Sequence, residues 1–138
     1  MLEFIVGNED KIIYAHNNMP TTAFVIVENK KGYMLLYNKY RNKWELTGGY
    51  IEQGELPKES AIRECKEESN QNILDLKFVG VAKYENMNAA IYYTFLSTEE
   101  PFIENDEIKE LRWWKPGEEI GEMCNDSIEF IQLYNTYK

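Results

Sequence analysis

Between Gly49 and Glu68 the chain reads G-Y-I-E-Q-G-E-L-P-K-E-S-A-I-R-E-C-K-E-E. Five residues separate Gly49 from Glu55, seven separate Glu55 from the pair Arg63-Glu64, and two more lead to the pair Glu67-Glu68. Pro57 suits the first turn of a helix, where its missing N–H is no loss, and the stretch onward to Ser69 is rich in helix formers. Positions i, i+3 and i+4 are neighbours on a helix, so Glu64, Glu67 and Glu68 project from one face. Ala61, Ile62, Cys65 and Ser69 form a second, less polar face that can pack on a sheet. Clustered carboxylates repel one another, a cost that a solvated helix has no need to bear. A hard divalent cation removes it: Mg²⁺ takes carboxylate oxygens and keeps waters and substrate phosphates as its other ligands. Arg63 lies in i, i+4 reach of Glu59 and Glu67, where it can orient a ligand or neutralise a neighbour. Gly48-Gly49 supplies backbone free to take positive φ, so that a main-chain carbonyl can turn toward the cation. The pattern can therefore build a site for a divalent metal holding a phosphate chain.

These residues closely resemble the Nudix box: G, five residues, E, seven residues, R-E, an aliphatic, any residue, E-E, any residue, G, an aliphatic. Gly49, Glu55, Arg63, Glu64, Glu67 and Glu68 match it. Cys65 fills the first aliphatic position, and buried thiols behave as small hydrophobes. Asn70 replaces the last Gly and is the next best residue for a left-handed helix cap. Gln71 replaces the final aliphatic, with Ile73 expected to take over its packing. Upstream, W-E-L-T-G-G resembles the W-x-x-P-G-G that often precedes the box, with Thr47 in place of Pro.

The resemblance implies an α/β/α sandwich with a mixed sheet. It also implies hydrolysis of a pyrophosphate bond in a nucleoside diphosphate linked to another group, with Mg²⁺ as cofactor and Mn²⁺ as a possible substitute. Glu64 and Glu68 are the implied metal ligands, with Glu67 a third and the Gly48 carbonyl an additional one. Glu107, before the last strand, sits where relatives carry a further acid; the alternative is solvation within the acidic run Glu104, Asp106, Glu107. One glutamate, Glu67 or Glu64, is expected to take the proton from water, while Glu55 and Arg63 support the loop and orient ligands. Three residues are candidates for substrate contact. Lys39 can meet a phosphate or be a surface lysine. Asn125 and Asp126 precede the last helix, where some relatives that act on oxidised nucleotides hold the base; the plainer role for Asp126 is a helix cap. Trp113, Trp114, Tyr92 and Tyr93 can grip a ring, but alternate residues of a strand face opposite ways, so most are expected in the core. His16 has no partners for a triad and reads as a turn or surface residue.

Around the box the chain alternates short β-like runs with two helices. Leu2 to Val6 and Lys11 to Ala15 read as a hairpin about residues 7–10. Thr22 to Val27, Tyr33 to Tyr37 and Trp44 to Leu46 read as strands before the box. Leu76 to Tyr84 and Ala89 to Leu96 read as an antiparallel pair after it, and Glu110 to Lys115 as a last strand. The amphipathic spacing of Ile128, Ile131, Leu133 and Tyr134 predicts a closing helix over Ser127 to Tyr137. Strands around two helices suggest a mixed sheet covered by helices, in a single domain over residues 1–138.

With 138 residues, 43% of them hydrophobic, the chain can bury a real core. Its net charge of -9 argues against a nucleic-acid polymer or anionic membrane as partner, but permits a small nucleotide whose phosphates meet a metal. Two cysteines are too few for a disulfide framework and fit a reducing cytoplasm. Met1-Leu2-Glu3-Phe4 lacks the basic start of a leader, and no run approaches the roughly 20 apolar residues of a membrane span. The first expectation for substrate is a nucleoside triphosphate, 8-oxo-dGTP-like, giving monophosphate and pyrophosphate; ADP-ribose, a nucleotide sugar or a dinucleotide polyphosphate would use the same box. A non-catalytic nucleotide sensor is the rival class, and a calcium-binding module is disfavoured for want of an Asp-rich loop. Monomer and homodimer are both compatible with the sequence.

Overall fold

The computed structural model describes residues 1–14 and 19–138; His16 and Ala15 lie outside them. The organising strand is β2 (Thr22–Asn29). It pairs in parallel with β7 (Asn88–Phe95) from Thr22↔Ala89 to Glu28↔Phe95. On its other side it pairs antiparallel, first with β5 (Thr47–Tyr50) and then, from Glu28, with β3 (Gly32–Asn38). Outward from β7 come β6 (Lys77–Lys83) and β1 (Glu3–Ile5). Outward from β3 come β4 (Lys43–Glu45) and β8 (Ile108–Trp114). The result is a mixed eight-stranded sheet that splays where β2 changes partner.

Strand alternation sends side chains to opposite faces. Ala23, Val25 and Val27 of β2 join Ala61 and Cys65 of α1 (Pro57–Ser69) in one core. Ile26 joins Phe130, Ile131 and Tyr134 of α2 (Asn125–Tyr137) in the other. The architecture is the helix–sheet–helix sandwich that the sequence implies. Both helices follow from local chemistry. Pro57 opens α1, the Glu59 carboxylate reaches back to the Leu56 N–H at 2.8 Å, and Asn70 closes the helix at φ 65° with its N–H on the Lys66 carbonyl. α2 begins two residues earlier than its periodicity predicts, at Asn125 after a Cys124 cap position that makes no side-chain bond. Asp126 is thus not the cap but a first-turn residue, placed to favour the helix dipole.

Among the described residues the N-terminal hairpin is not formed. Residues Asp10–Tyr14 make one π-helical turn, and β1 pairs with β6 instead, Glu3 opposite Lys83. Consecutive Ile12 and Ile13 are both buried in the α1-side core, which a half-buried strand would not permit. Asn8 starts the turn by accepting the Lys11 N–H on its side chain and the Ile12 N–H on its carbonyl. Among the described residues no helix is long and apolar enough to cross a membrane.

Candidate active site

Gly48 and Gly49 lie not in a turn but inside β5, against Phe24 and Ala23 of β2. Gly48 must be glycine on steric grounds, and a side chain at Gly49 would displace the Glu64 carboxylate. Gly48 has φ +155°, and a Cβ there would stand 2.4 Å from the Ala23 carbonyl oxygen; one on Gly49 would stand 2.9 Å from the Glu64 carboxyl carbon. The bare backbone lets the α1 carboxylates approach the strand.

Arg63 organises the loop between β5 and α1. It forks onto Glu55, Nε to Oε2 at 2.7 Å and Nη2 to Oε1 at 3.1 Å, and donates to the Tyr50 carbonyl at 3.3 Å. Its Nη1 donates to Glu64 at 3.0 Å and to Glu67 at 3.2 Å. Glu55 also accepts the Glu52 N–H, and these bonds hold its carboxyl below the ordinary value, Arg63 being the larger cause. Glu68 is buried, with one oxygen accepting the Thr47 hydroxyl at 2.6 Å and the Gly48 N–H at 3.0 Å. Burial pushes its carboxyl up to about 8, and the charges of Glu107 and Glu64 push the same way against those two donors. Glu64 is also raised, by burial first and then, against Arg63, by Glu67 and Glu107.

Glu107 therefore acts on the same spot as the helix carboxylates although it comes from the loop just before β8. Its Oε2 accepts from Asn38 at 3.1 Å, and fully buried Asn38 also donates to Glu45 at 2.9 Å. Asn105 ties the preceding loop to α1 by donating to the Glu68 carbonyl at 3.1 Å, while its side-chain oxygen accepts the Glu107 and Ile108 N–H groups. Lys39 pins the same loop: its ammonium donates to the Asn105 carbonyl at 2.6 Å and pairs with Glu104 at 2.9 Å. As placed, Lys39 is engaged with the loop that carries Glu107. Gln71 clamps the loop from below, giving to and taking from the Glu100 backbone while fully buried, and Ile73 fills the core beside it.

The donor set, four carboxylates and backbone, is all oxygen and fits a hard cation. Two desolvated carboxylates, each raised by burial and by neighbouring glutamates, are what a dication would relieve. No three of the described acidic, cysteine or histidine side chains yet converge at coordinating distance, because Arg63 draws Glu64 and Glu67 to itself and Thr47 holds Glu68. Closing on an ion requires Glu64 to leave Arg63.

On the α2 face of the sheet, a cavity of about 260 Å³ opens beside Gly48 and Gly49. Phe24, Leu46, Met87 and Phe130 give it apolar walls, and Tyr84 and Asp126 polar ones; Asn125 is exposed and does not line it. The cavity is shaped by two bonds that seat the start of α2 on the sheet: the Cys124 N–H to the Trp44 carbonyl at 2.8 Å, and the Leu46 N–H to Ser127 Oγ at 2.9 Å. Arg41 stands at its mouth, with Nε donating to Glu45 at 3.0 Å and Nη2 lying 3.8 Å from Glu107. A larger hollow of about 460 Å³ by Lys31 and Phe95 shares no residue with the carboxylates.

The profile of the NUDIX domain matches residues 18–134. The chain belongs to the Nudix family. A protein of Bacillus subtilis (strain 168) named "Putative 8-oxo-dGTP diphosphatase" is 30% identical over 99 residues, 69% of this chain and 66% of its own length. The chain thus spans just under two thirds of that curated relative. Among solved structures, a MutT NUDIX hydrolase from Burkholderia pseudomallei superposes with a TM-score of 0.72 at 17% identity, over 83% of this chain and 96% of its own. The Bacillus subtilis pyrophosphohydrolase BsRppH gives 0.70 at 18%, over 99% of this chain and 92% of its own. At those identities the superpositions speak for the Nudix fold alone.

Within this Nudix site several residues escape a motif reading. Asn38, Glu45 and Asn105 carry no pattern of their own and matter only because the fold stacks β3, β4 and β8. Thr47 looks like a mere departure from the sequence preceding a Nudix box, yet it supplies a hydroxyl to buried Glu68. Removing that outer-shell donor in Thr47→Val is expected to weaken Mn²⁺ binding by about 10–100-fold while the fold persists, as read by calorimetric titration. Unchanged affinity would show that Thr47 does not orient Glu68.

The thiols differ as their settings dictate. Cys65 is sealed under α1, and burial pushes it up to about 11. Cys124 is half-buried in the cavity wall. Iodoacetamide at pH 8 should therefore modify the native protein once, at Cys124, with Cys65 reacting only after denaturation; equal labelling found by peptide mapping would contradict the burial of α1.

Proposed function

We propose that the chain hydrolyses a pyrophosphate bond in a small nucleotide, with a nucleoside triphosphate, possible oxidised purines included, as the preferred substrate class. The observation that carries this reading is that the charges of Glu67 and Glu107 act on half-desolvated Glu64, and those of Glu64 and Glu107 on buried Glu68, beside an apolar, aromatic-walled cavity of about 260 Å³. A ring held in the cavity would leave its phosphates at Gly48-Gly49, next to the carboxylates. The 8-oxo-dGTP name of the Bacillus subtilis relative supports the same class.

In this reading Glu64, Glu67, Glu68 and Glu107 hold Mg²⁺, with the Gly48 carbonyl as a further ligand. Bound there, a hard dication shields phosphate oxygens and lowers the pKa of water. The chain does the rest by positioning, which is most of what phosphoryl transfer requires. Arg63 holds the β5–α1 loop through Glu55 and balances Glu64 and Glu67 until phosphate arrives. One carboxylate of Glu64 or Glu67 accepts the proton of the attacking water. The water oxygen bonds to one phosphorus, the bridging P–O bond breaks with its electron pair going to the phosphate group that leaves, and the products are nucleoside monophosphate and pyrophosphate. Asp126 reads the ring from the cavity rim, and Asn125 stands outside it. Lys39 serves by holding the Glu107 loop, and contact with phosphate would cost it Glu104.

A panel of nucleoside triphosphates, 8-oxo-dGTP, ADP-ribose, nucleotide sugars and dinucleotide polyphosphates, each with Mg²⁺, tests this by product analysis. Monophosphate and pyrophosphate from one of the triphosphates is the expected result. Preferred cleavage of ADP-ribose or a dinucleotide would move the substrate class, and no cleavage of any would favour the sensor.

A further inference from the structure

A cation shared by two elements holds its ligand distances to within about 0.2 Å, so the elements themselves must stand at a set separation. Glu68 belongs to α1, whereas Glu107 belongs to the loop before β8. Strand pairing alone does not gauge the two. The β3–β8 register slips by one residue at this end, from Tyr37↔Glu110 to Asn38↔Ile108, and such a slip re-aims the side chains beside it.

Asn105 spans the gap. Its amide nitrogen donates at 3.1 Å to the Glu68 carbonyl, one of the last carbonyls of α1, which a helix leaves without an internal partner. Its amide oxygen accepts the Glu107 N–H at 3.1 Å and the Ile108 N–H at 2.9 Å, an Asx turn that starts β8. The Asn105 N–H meets the Ile108 carbonyl at 3.1 Å, and the Asn105 carbonyl accepts the Lys39 ammonium at 2.6 Å. Every polar group of this half-buried residue is engaged. The Lys39 N–H holds the Glu107 carbonyl at 2.8 Å, and Asn38 holds the Glu107 carboxylate. Asn70 and Gln71 fasten the far end of the same loop, at Pro101 and Glu100. One side chain, that of Asn105, bonds the backbone of both carboxylate-bearing residues.

We infer that Asn105 is a positioning residue: its side-chain amide, bonded to the backbone of Glu68 and of Glu107, sets the separation at which one dication engages both carboxylates. The inference rests on reading those carboxylates as metal ligands. Asn105 acts through Glu107 and touches no reacting atom. Its two jobs, capping the turn and bridging to the helix, come apart on substitution. A serine hydroxyl can still accept the Glu107 N–H but is too short to reach the Glu68 carbonyl. With the bridge gone Glu107 drifts, while Glu68 stays on the Thr47 hydroxyl and the Gly48 N–H.

Mn²⁺ titrated into the protein without nucleotide, with the free ion read by electron paramagnetic resonance, measures the site apart from turnover. Asn105→Ser and Asn105→Ala should each weaken Mn²⁺ binding by about tenfold, the lower end of what outer-shell partners contribute. Asn105→Ser keeps the turn, so its Tm in EDTA should match the wild type although its affinity does not. A residue serving stability alone would not produce that split. Glu107→Gln should weaken binding too, and adding Asn105→Ser to it should cost nothing further, because the group that Asn105 places is gone. Wild-type affinity in Asn105→Ser, or the same fold loss in both backgrounds, would overturn the inference and leave the metal reading standing. No Mn²⁺ binding, or binding that Glu107→Gln leaves unchanged, would sink the inference together with the place of Glu107 in the proposed site. A chain that binds Mn²⁺ in the expected pattern yet cleaves no nucleotide keeps the inference and loses the hydrolase.

Discussion

Glu68→Gln is expected to lower kcat by about 10³-fold or more, because an ion clamp contributes several kcal/mol to the transition state and each 1.36 kcal/mol is tenfold. The fold should survive. A glutamine at this place can still accept from the Thr47 hydroxyl and the Gly48 N–H, and it removes a charge from a site where burial and the Glu64 and Glu107 carboxylates oppose one. The free variant should therefore be as stable as the wild type or more so, while inactive. Glu67→Gln should lose turnover likewise, since Glu67 is an expected ligand or base, but with little change in stability: its side chain is 57% exposed and its ion pair with Arg63 is a surface one. Steady-state kinetics and thermal unfolding on the same preparations separate the two effects. Full turnover by both variants would mean that the helix carboxylates do not carry the chemistry.

The second large effect is on stability. The Glu68 carboxyl lies at about 8 in the folded chain against an ordinary 4.5. Between those values the folded state keeps a proton that the unfolded state has released. Stability must then fall as pH rises across that window, with no contribution to the slope below it and the full penalty above it. Glu64, raised as well, adds to the same trend. Lowered Glu55, Glu99 and Glu104 titrate below 4.5 and so leave the window clean. In EDTA, Tm should drop by roughly 5–10 °C between pH 5 and 8, equivalent to on the order of 2 kcal/mol. Mg²⁺ binds the ionised carboxylates, so adding it at pH 8 should recover the loss and release protons. Glu68→Gln should flatten the slope. A wild-type Tm that stays level across the window in EDTA would contradict the burial assigned to Glu68.

How much of this was legible in the sequence depends on distance along the chain. α1 was, with its bounds at Pro57 and Ser69, because Pro at the start, Asn70 at the end and the carboxylate spacing are all local signals. The central strands were, because alternation and β-branched runs are local as well. The turn at Asp10–Tyr14 was not: two adjacent isoleucines look the same in a strand and in a helical turn, and only the core beneath α1 decides between them. Gly48 and Gly49 were recognised as free backbone, yet the neighbours that crowd them are distant along the chain: Ala23 and Phe24 at Gly48, Glu64 at Gly49. The cavity was invisible, since Thr22, Tyr84 and Phe130 are brought together only by β2, β6 and α2. Asp126 was singled out as a substrate contact or a helix cap, and the earlier start of α2 removes the second role.

The central claim is that α1 presents carboxylates for a hard cation. Its most direct test is an anomalous difference map from a crystal grown with Mn²⁺. The account predicts an ion within about 2.0–2.3 Å of carboxylate oxygens from Glu64 and Glu68, with Glu64 rotated away from Arg63. An ion elsewhere, or saturating Mn²⁺ with Glu64 still on Arg63 and nothing bound between these side chains, would contradict it.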